Sequence, residues 1–378
     1  MNSSSNISSK SAKRERKLSV VIAGGGTGGH IFPAIAIANA LKEMHPFMRI
    51  LFVGAKGKME MQRVPQAGYE IKGIDIDGFN RSSLLKNISL PFKLIKSFFQ
   101  VKKIFKHFEP DAAIGVGGYS TFPVLRYAQR KHIPTFIHES NSFAGKSNIL
   151  LGKKAVKVFV ASEGMEKFFP EEKIIITGNP IRKNIINNQL SRDEALRFFR
   201  LDANKKTVLI IGGSLGARSI NEAIVRHLPD FEAMQLQLIW QTGKTDAAKY
   251  ISAGNVAENV WVGEFIQDID KAYTAADVAV ARAGAMTVAE ICIAKLPAVL
   301  VPYPFAAEDH QTANAMRLVN KDAALIVKDN DVQTKLFGAI INLLMDDNKR
   351  KIFSENLGKL AVASADKLIA KQILETIE

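Results

Sequence analysis

Three stretches bring reactive or polar side chains onto strand-to-helix turns. In Leu18–Leu41 (LSVVIAGGGTGGHIFPAIAIANAL) an apolar run meets six residues of almost pure glycine and threonine, His30 follows directly, and an amphipathic helix pattern continues. A bare turn opening a helix points unpaired N–H groups along the positive end of the helix dipole. It therefore suits an anion such as a phosphate-bearing ligand, with tight packing as the competing use. His30 has the ordinary pKa for proton transfer near neutrality, and a structural place at the helix start is its alternative. In Ala281–Glu290 (ARAGAMTVAE) a second strand, glycine and helix set Glu290 inside the helix. A carboxylate there can accept from the two hydroxyls of a ribose, or it can pair on a helix surface. Glu308–Ala315 (EDHQTANA) sets a histidine and an amide at another helix start, or is an ordinary capped helix.

Two other patterns are excluded as chemistry. Asp-x-Asp occurs at Asp75–Asp77 and Asp268–Asp270, but neither directly follows a long apolar strand at a glycine turn. Both read as polar surface, and no metal site is expected. A dinucleotide turn needs G-x-G-x-x-G with an acid ending the next strand. GGGTGGH has the wrong spacing after Gly26, Glu43 falls on the helix, and the strand RILFVGAK ends without an acid.

The elements that must hold these turns repeat. KKTVLIIGGSLGARSINEAI (Lys205–Ile224) copies the opening plan half a chain later. Short apolar runs alternate with helical patterns in both halves: Arg49–Ala55, Asp111–Gly118, Pro134–Ser140 and Lys157–Ser162, then Gln235–Gly243, Glu258–Phe265, Ala276–Gly284 and Leu296–Pro304. Strands separated by helices mean parallel sheets covered on both faces. The expected fold is α/β, with two doubly wound Rossmann-like domains facing a central cleft. The domains are 18–180 and 181–352, joined through Thr177–Asn184, and a C-terminal helix 353–378 returns to the first. Ligands in such sheets sit beyond the carboxyl ends of the strands.

Composition narrows the partners. The 378 residues are 47% apolar, enough for two cores, and the single Cys292 excludes an internal disulfide framework. No apolar run has the ~20 residues of a spanning helix. Residues 1–17 read as a disordered basic tail without a signal-peptide core. A net charge of +14 calls for an anionic partner. Part of it lies in Ser83–Phe108, where Lys86, Lys93, Lys96, Lys102, Lys103 and Lys106 flank apolar residues without an acid. Leu84–Ile95, interrupted by Pro91, reads as an exposed apolar loop ringed by lysines that docks on an anionic membrane. Phe98–Phe108 reads either as part of that face or as a core helix. Nucleic acid is not expected, because no binding motif accompanies the charge.

The order of motifs resembles one family. GGTGGH (Gly25–His30), GVGGYSTFP (Gly115–Pro123), HESN (His138–Asn141), GNPIR (Gly178–Arg182), GGSLGAR (Gly212–Arg218), RAGAMTVAE (Arg282–Glu290) and HQTANA (His310–Ala315) follow the pattern of the bacterial peptidoglycan glycosyltransferases. The resemblance implies a GT-B type fold. It implies inverting transfer of N-acetylglucosamine from UDP-N-acetylglucosamine to the muramyl C4 hydroxyl of undecaprenyl-linked lipid I, giving lipid II. It places the chain on the cytoplasmic face of the inner membrane, peripherally, with room for other cell-wall synthesis proteins as partners, and it requires no cofactor. Carried over by position, Arg182 and Ser214 resemble donor-phosphate ligands, Ile266 the backbone contact to uracil, and Glu290 the ribose ligand. Ala285, Met286, Thr287, Val288 and Ala289 resemble the nucleotide wall. Gln311 and Asn141 resemble sugar and cleft contacts, and Thr27, Gly28 and Gly29 the turn closing over the donor. Gly117, Gly118 and Tyr119 resemble the acceptor-side turn. His30 is the preferred base and Glu139 the reserve. Ser140, Leu215, Thr121 and His310 depart from the family's usual residues, and Pro304–Gln311 is the loop where the transfer is weakest.

Three rivals share parts of this reading. A UDP-N-acetylglucosamine 2-epimerase of the same fold has no use for a basic, aromatic-rich face. A glycolipid-forming glycosyltransferase differs in its acceptor. A non-enzymatic nucleic-acid-binding protein would rest on charge alone.

Overall fold

The computed structural model describes residues 17–78, 89–255 and 257–378. The expected tail lies outside these residues except for Lys17, and so do Leu84, Leu85, Lys86 and Ile88 of the expected docking loop.

The first half forms β1 (Ser19–Ala23), β2 (Arg49–Ala55), β3 (Glu70–Ile74), β4 (Ala112–Gly115), β5 (Thr135–Glu139), β6 (Lys157–Val160) and β7 (Ile174–Ile176). They make one sheet in the order β3-β2-β1-β4-β5-β6-β7, and the pairs are parallel. The second half forms β8 (Thr207–Ile211), β9 (Gln237–Gln241), β10 (Val260–Gly263), β11 (Val278–Ala281), β12 (Ala298–Leu300) and β13 (Leu325–Ile326), also parallel, in the order β10-β9-β8-β11-β12-β13. Each apolar run named from the sequence contains a strand. The short edge strands β3, β7 and β13 were not anticipated.

Helices on both faces explain why the central strands are apolar throughout rather than alternating. In β1, Val20 and Ile22 face the core shared with Ile37 and Leu41 of helix Gly28–Met44, while Val21 and Ala23 face the core holding Val101 and Leu125. Burying a side chain such as Ile37 contributes about 1.5–3 kcal/mol.

The C-terminus corrects one expectation. The segment 353–378 is not one helix. Asp347–Leu360 packs with the second domain, where Phe353 and Leu357 enter its cores. The chain turns extended at Ala361, and only helix Ala365–Ile377 lies in the first domain's core, through Ile369, Ala370 and Ile373. The chain therefore crosses between the sheets twice. The crossings touch where a Cβ on Gly178 (φ +74°) would stand 2.7 Å from Val362, so that position needs glycine for both space and backbone.

Strand order reverses between β1 and β4 and again between β8 and β11. A crevice opens beyond the carboxyl ends of the strands at each reversal. The turns after those four strands are Gly24–Thr27, Val116–Ser120, Gly212–Ala217 and Arg282–Gly284. These are the segments the sequence motifs mark.

Candidate active site

The two first-domain turns lock together through their backbones. The Gly25 amide donates to the Gly117 carbonyl at 3.2 Å. A Cβ on Gly118 (φ +90°) would lie 2.3 Å from the Gly25 oxygen, so glycine is required for this approach. Beneath them Glu60, at the start of helix Glu60–Gln66, accepts from the Gly26 amide at 2.7 Å and the Ala55 amide at 2.9 Å. The sequence reading missed Glu60, since a lone glutamate in KGKMEMQ carries no motif.

His30 lies in the third position of helix Gly28–Met44, with Thr27 as the exposed N-cap and Gly28 and Gly29 before it. Its Nδ1 is 3.0 Å from the Gly25 carbonyl. A carbonyl only accepts, so Nδ1 carries the hydrogen and Nε2 keeps the lone pair in the neutral ring. That edge lies against the acceptor-side turn, where a Cβ on Gly117 would be 2.6 Å from Nε2. Burial lowers the His30 pKa, opposed by its bond to Gly25 and by Glu139 and Glu60, and assisted by His310. Tyr119 is exposed, with its ring against Gly78.

Glu139 is occupied. It ends β5 buried, and one oxygen accepts from the amide and side chain of Asn141 at 3.1 and 3.2 Å. The other accepts from the Gly145 amide at 3.1 Å and Asn148 at 2.9 Å. This carboxylate folds loop 140–145, with both of its oxygens engaged by that loop and by helix Lys146–Gly152. Asn141 in turn meets the second domain. Asn314 Nδ2 is 3.4 Å from its side-chain oxygen, and Asn314 Oδ1 accepts from the Ser142 amide at 3.0 Å. Asn314 is buried and also donates to the Ala283 carbonyl, so it joins both domains. The motif HQTANA contains it, but the sequence reading gave it no role.

On the second-domain wall, Arg182 and Glu290 meet. Arg182 Nε and NH2 reach Glu290 Oε1 at 3.2 and 2.8 Å, and the Tyr273 hydroxyl donates to Oε2 at 3.0 Å. Burial, then the Glu290 charge, raises the Tyr273 pKa well above the ordinary phenol, so it stays a donor. The Arg182 guanidinium also stacks on Phe32 across the cleft, 4.9 Å from the ring centre. Residues expected to hold separate parts of a nucleotide thus form one internal ion pair. Of the expected wall, Ala285, Thr287 and Ala289 are half-exposed, whereas Met286 and Val288 point into the core. Ser214 is exposed in the turn after β8. Gln241 ties that turn to Ile266, donating to the Gly213 carbonyl at 3.1 Å and accepting from the Ile266 amide at 3.0 Å. Gln311 accepts from the Tyr303 amide at 2.9 Å and holds the Pro304–Gln311 loop at one end.

The two DID segments are ion-paired surface. Asp75 pairs with Lys56 and Lys96, Asp77 with Lys58 and Lys93, and Asp268 with Lys271, while Asp270 accepts from Asn184. Among the described residues no group of three or more His, Cys, Asp or Glu is placed to hold a metal ion.

Paired parallel α/β sheets with glycine turns on both walls of one cleft, a half-buried imidazole on one side and an arginine–glutamate pair on the other, define a two-domain glycosyltransferase of the GT-B type. The glycosyltransferase family 28 N-terminal domain matches residues 20–160, and the family 28 C-terminal domain matches residues 207–373. The chain belongs to this family. It is 50% identical over 364 residues, 96% of this chain and 97% of the other, to a UDP-N-acetylglucosamine–N-acetylmuramyl-(pentapeptide) pyrophosphoryl-undecaprenol N-acetylglucosamine transferase of Phocaeicola vulgatus. The crystal structure of MurG from Acinetobacter baumannii superposes with a TM-score of 0.72 at 29% identity, covering 95% of this chain and 99% of that one. A UDP-N-acetylglucosamine 2-epimerase structure shares the fold alone, with a TM-score of 0.66 at 14% identity over 95% of this chain and 96% of that one.

Proposed function

We propose that the protein transfers N-acetylglucosamine from UDP-N-acetylglucosamine to the C4 hydroxyl of the muramyl sugar of lipid I, forming lipid II for peptidoglycan. The observation that carries this reading is the His30 ring, fixed by Gly25 with Nε2 turned to the acceptor-side turn at Gly117. Nε2 takes the proton of the acceptor hydroxyl as its oxygen attacks the anomeric carbon. The bond from that carbon to the UDP oxygen breaks on the opposite face, which inverts the centre, and UDP leaves with the bonding pair. Arg182, the turn at Ser214 and the start of helix Ala285–Ala294 meet the diphosphate charge without a metal. The near-complete match to relatives named for this reaction supports the same donor and acceptor.

Lipid I brings the protein to the membrane. Among the described residues no helix is long and apolar enough to cross a bilayer. The sequence expected a loop up to Ile95, broken by Pro91. Instead Pro91 sits in the first turn of helix Leu90–Phe108, where a missing N–H costs nothing. Val101, Phe105 and Phe108 enter the core, while Phe92, Ile95 and Phe99 stand on an exposed stripe, with Phe92 74% and Phe99 68% accessible. Lys102, Lys103 and Lys106 follow them. This stripe suits peripheral docking on anionic lipid at the cytoplasmic face.

The test incubates the protein with labelled UDP-N-acetylglucosamine and lipid I, with and without EDTA. Label should pass to the lipid fraction in both. Interconversion of the donor with its 2-epimer and no transfer would overturn the assignment, and loss of activity restored only by a divalent ion would overturn the metal-free mechanism.

A further inference from the structure

We infer that Glu60 is a positioning residue for the reaction: its carboxylate, bonded to the Ala55 and Gly26 amides, holds the first glycine turn so that Gly25 fixes the tautomer and direction of His30. The residue is 1% exposed although it begins its own helix, where an acidic side chain could equally face solvent. A carboxylate is buried at a cost unless donors meet it, and here two backbone amides do, at 2.9 and 2.7 Å.

The chain is shaped around this group. A Cβ on Gly25 would lie 2.2 Å from the Glu60 carboxyl carbon, and one on Gly54 would lie 2.5 Å from Glu60 Cγ. Gly25 and Gly26 take φ of +150° and +87°, which L side chains rarely adopt. Two side chains are thus absent where one carboxylate enters. The Gly26 amide is satisfied from within, so the anion it holds is Glu60 rather than a substrate phosphate.

Gly25 carries the effect to His30. Its amide is tied to Gly117, its carbonyl receives Nδ1–H, and the next amide is tied to Glu60. The charged and titratable groups around His30 are Glu60, Glu139 and His138 of the first domain and His310 of the second. Glu60 and Glu139 favour the imidazolium, whereas His310 and burial oppose it. His138 is itself held neutral, its pKa lowered to about 4 by burial. Removing the Glu60 charge therefore lowers the His30 titration midpoint, and loosening Gly25 frees the ring tautomer.

The inference deepens the assignment of His30 as base, and its test has an arm that does not depend on turnover. In donor-free Glu60→Gln protein labelled with ¹⁵N-histidine, the His30 midpoint should move to lower pH, and the Nδ1–H tautomer should give way to a mixture. Only one of the two amides keeps an acceptor in that variant. The kcat should fall by ~10–10², as expected for a misdirected reacting group, while the donor KM stays within ~3-fold. The acid limb of kcat/KM should shift with the NMR midpoint. If Glu60→Gln does not fold, Glu60→Asp keeps the charge but withdraws it by one methylene, and should mix the tautomers with a smaller fall of the midpoint than loss of the charge gives. An unchanged His30 midpoint and tautomer in a folded Glu60→Gln protein, or an unmixed tautomer in Glu60→Asp, overturns the inference whatever the turnover. Wild-type turnover in His30→Ala overturns the base assignment instead.

Discussion

Glu290→Ala should cost stability before any donor is added, because Glu290 anchors the start of the second domain. The carboxylate accepts two bonds from Arg182 and one from Tyr273, with side-chain exposures of 24% for Arg182 and 8% for Glu290. Deleting one partner of a buried pair costs about 3–5 kcal/mol. Arg182 keeps some solvent and its stacking on Phe32, so the lower end, about 3 kcal/mol, applies here. The stranded Tyr273 hydroxyl adds about 1 kcal/mol. At about 2–4 °C per kcal/mol for a domain of this size, the melting temperature should fall by about 8–16 °C. Scanning fluorimetry without ligand measures that fall, and a repeat with UDP at saturation separates ligand binding from folding. In kinetics the donor KM should rise strongly if the same side chain holds the ribose, as the proposed function requires. Tyr273→Phe is the control, with a small loss of melting temperature and an unchanged donor KM. A ligand-free melting temperature within ~2 °C of wild type for Glu290→Ala would refute the structural reasoning. An unchanged donor KM would refute the ribose role.

His30→Ala should lower kcat by roughly 10²–10⁴ with a modest change in donor KM, measured on lipid I. Because burial lowers the His30 pKa and the reaction needs the neutral ring, the acid limb of wild-type kcat/KM should fall below pH 6.5, and a limb above it would contradict the assignment. His138 is neutral in the fold to about pH 4, whereas the unfolded ring takes a proton near its ordinary 6.5. The unfolded state thus binds more protons between those values, so melting temperature should drop as pH falls through that window, and a stable His138 replacement by asparagine should flatten the slope. Phe92→Ser/Phe99→Ser should release the protein from anionic vesicles in sedimentation. Charge reversal at Lys102 and Lys106 should weaken binding more than reversal at Lys93 or Lys96, which already face Asp77 and Asp75.

The sheets were legible because parallel strands buried on both faces leave continuous apolar runs, and the glycine turns were legible because backbone conformations such as that of Gly118 admit little else. Edge strands escaped for the converse reason. β3 has the composition EIKGI with alternating exposure, and β13 is two residues long, so neither leaves an apolar run. The helix at Leu90–Phe108 was misjudged at its start because proline ends a helix from within but begins one without penalty, and only the register of Lys93 and Ser89 shows which applies. In the site, the residue types were readable while their partners were not. Arg182 and Glu290 are far apart in sequence and belong to different motifs, so no spacing rule pairs them.

The carboxylates show why that gap matters. A cleft that must admit a donor diphosphate and a lipid pyrophosphate contains Glu60, Glu139 and Glu290, and unscreened they would repel both substrates. Each is met by donors from within the fold: backbone amides on Glu60, amides and two asparagines on Glu139, a guanidinium and a phenol on Glu290. From the sequence Glu139 reads as a reserve base and Glu290 as a ribose ligand or a surface ion pair, while Glu60 carries no motif at all. The kind of donor separates them. Glu60 and Glu139 spend their oxygens on turns of their own domain and act as supports. Glu290 has as its partner an arginine with 24% of its side chain exposed, and in the proposed reaction a diphosphate can draw that arginine toward itself while the ribose hydroxyls take its place.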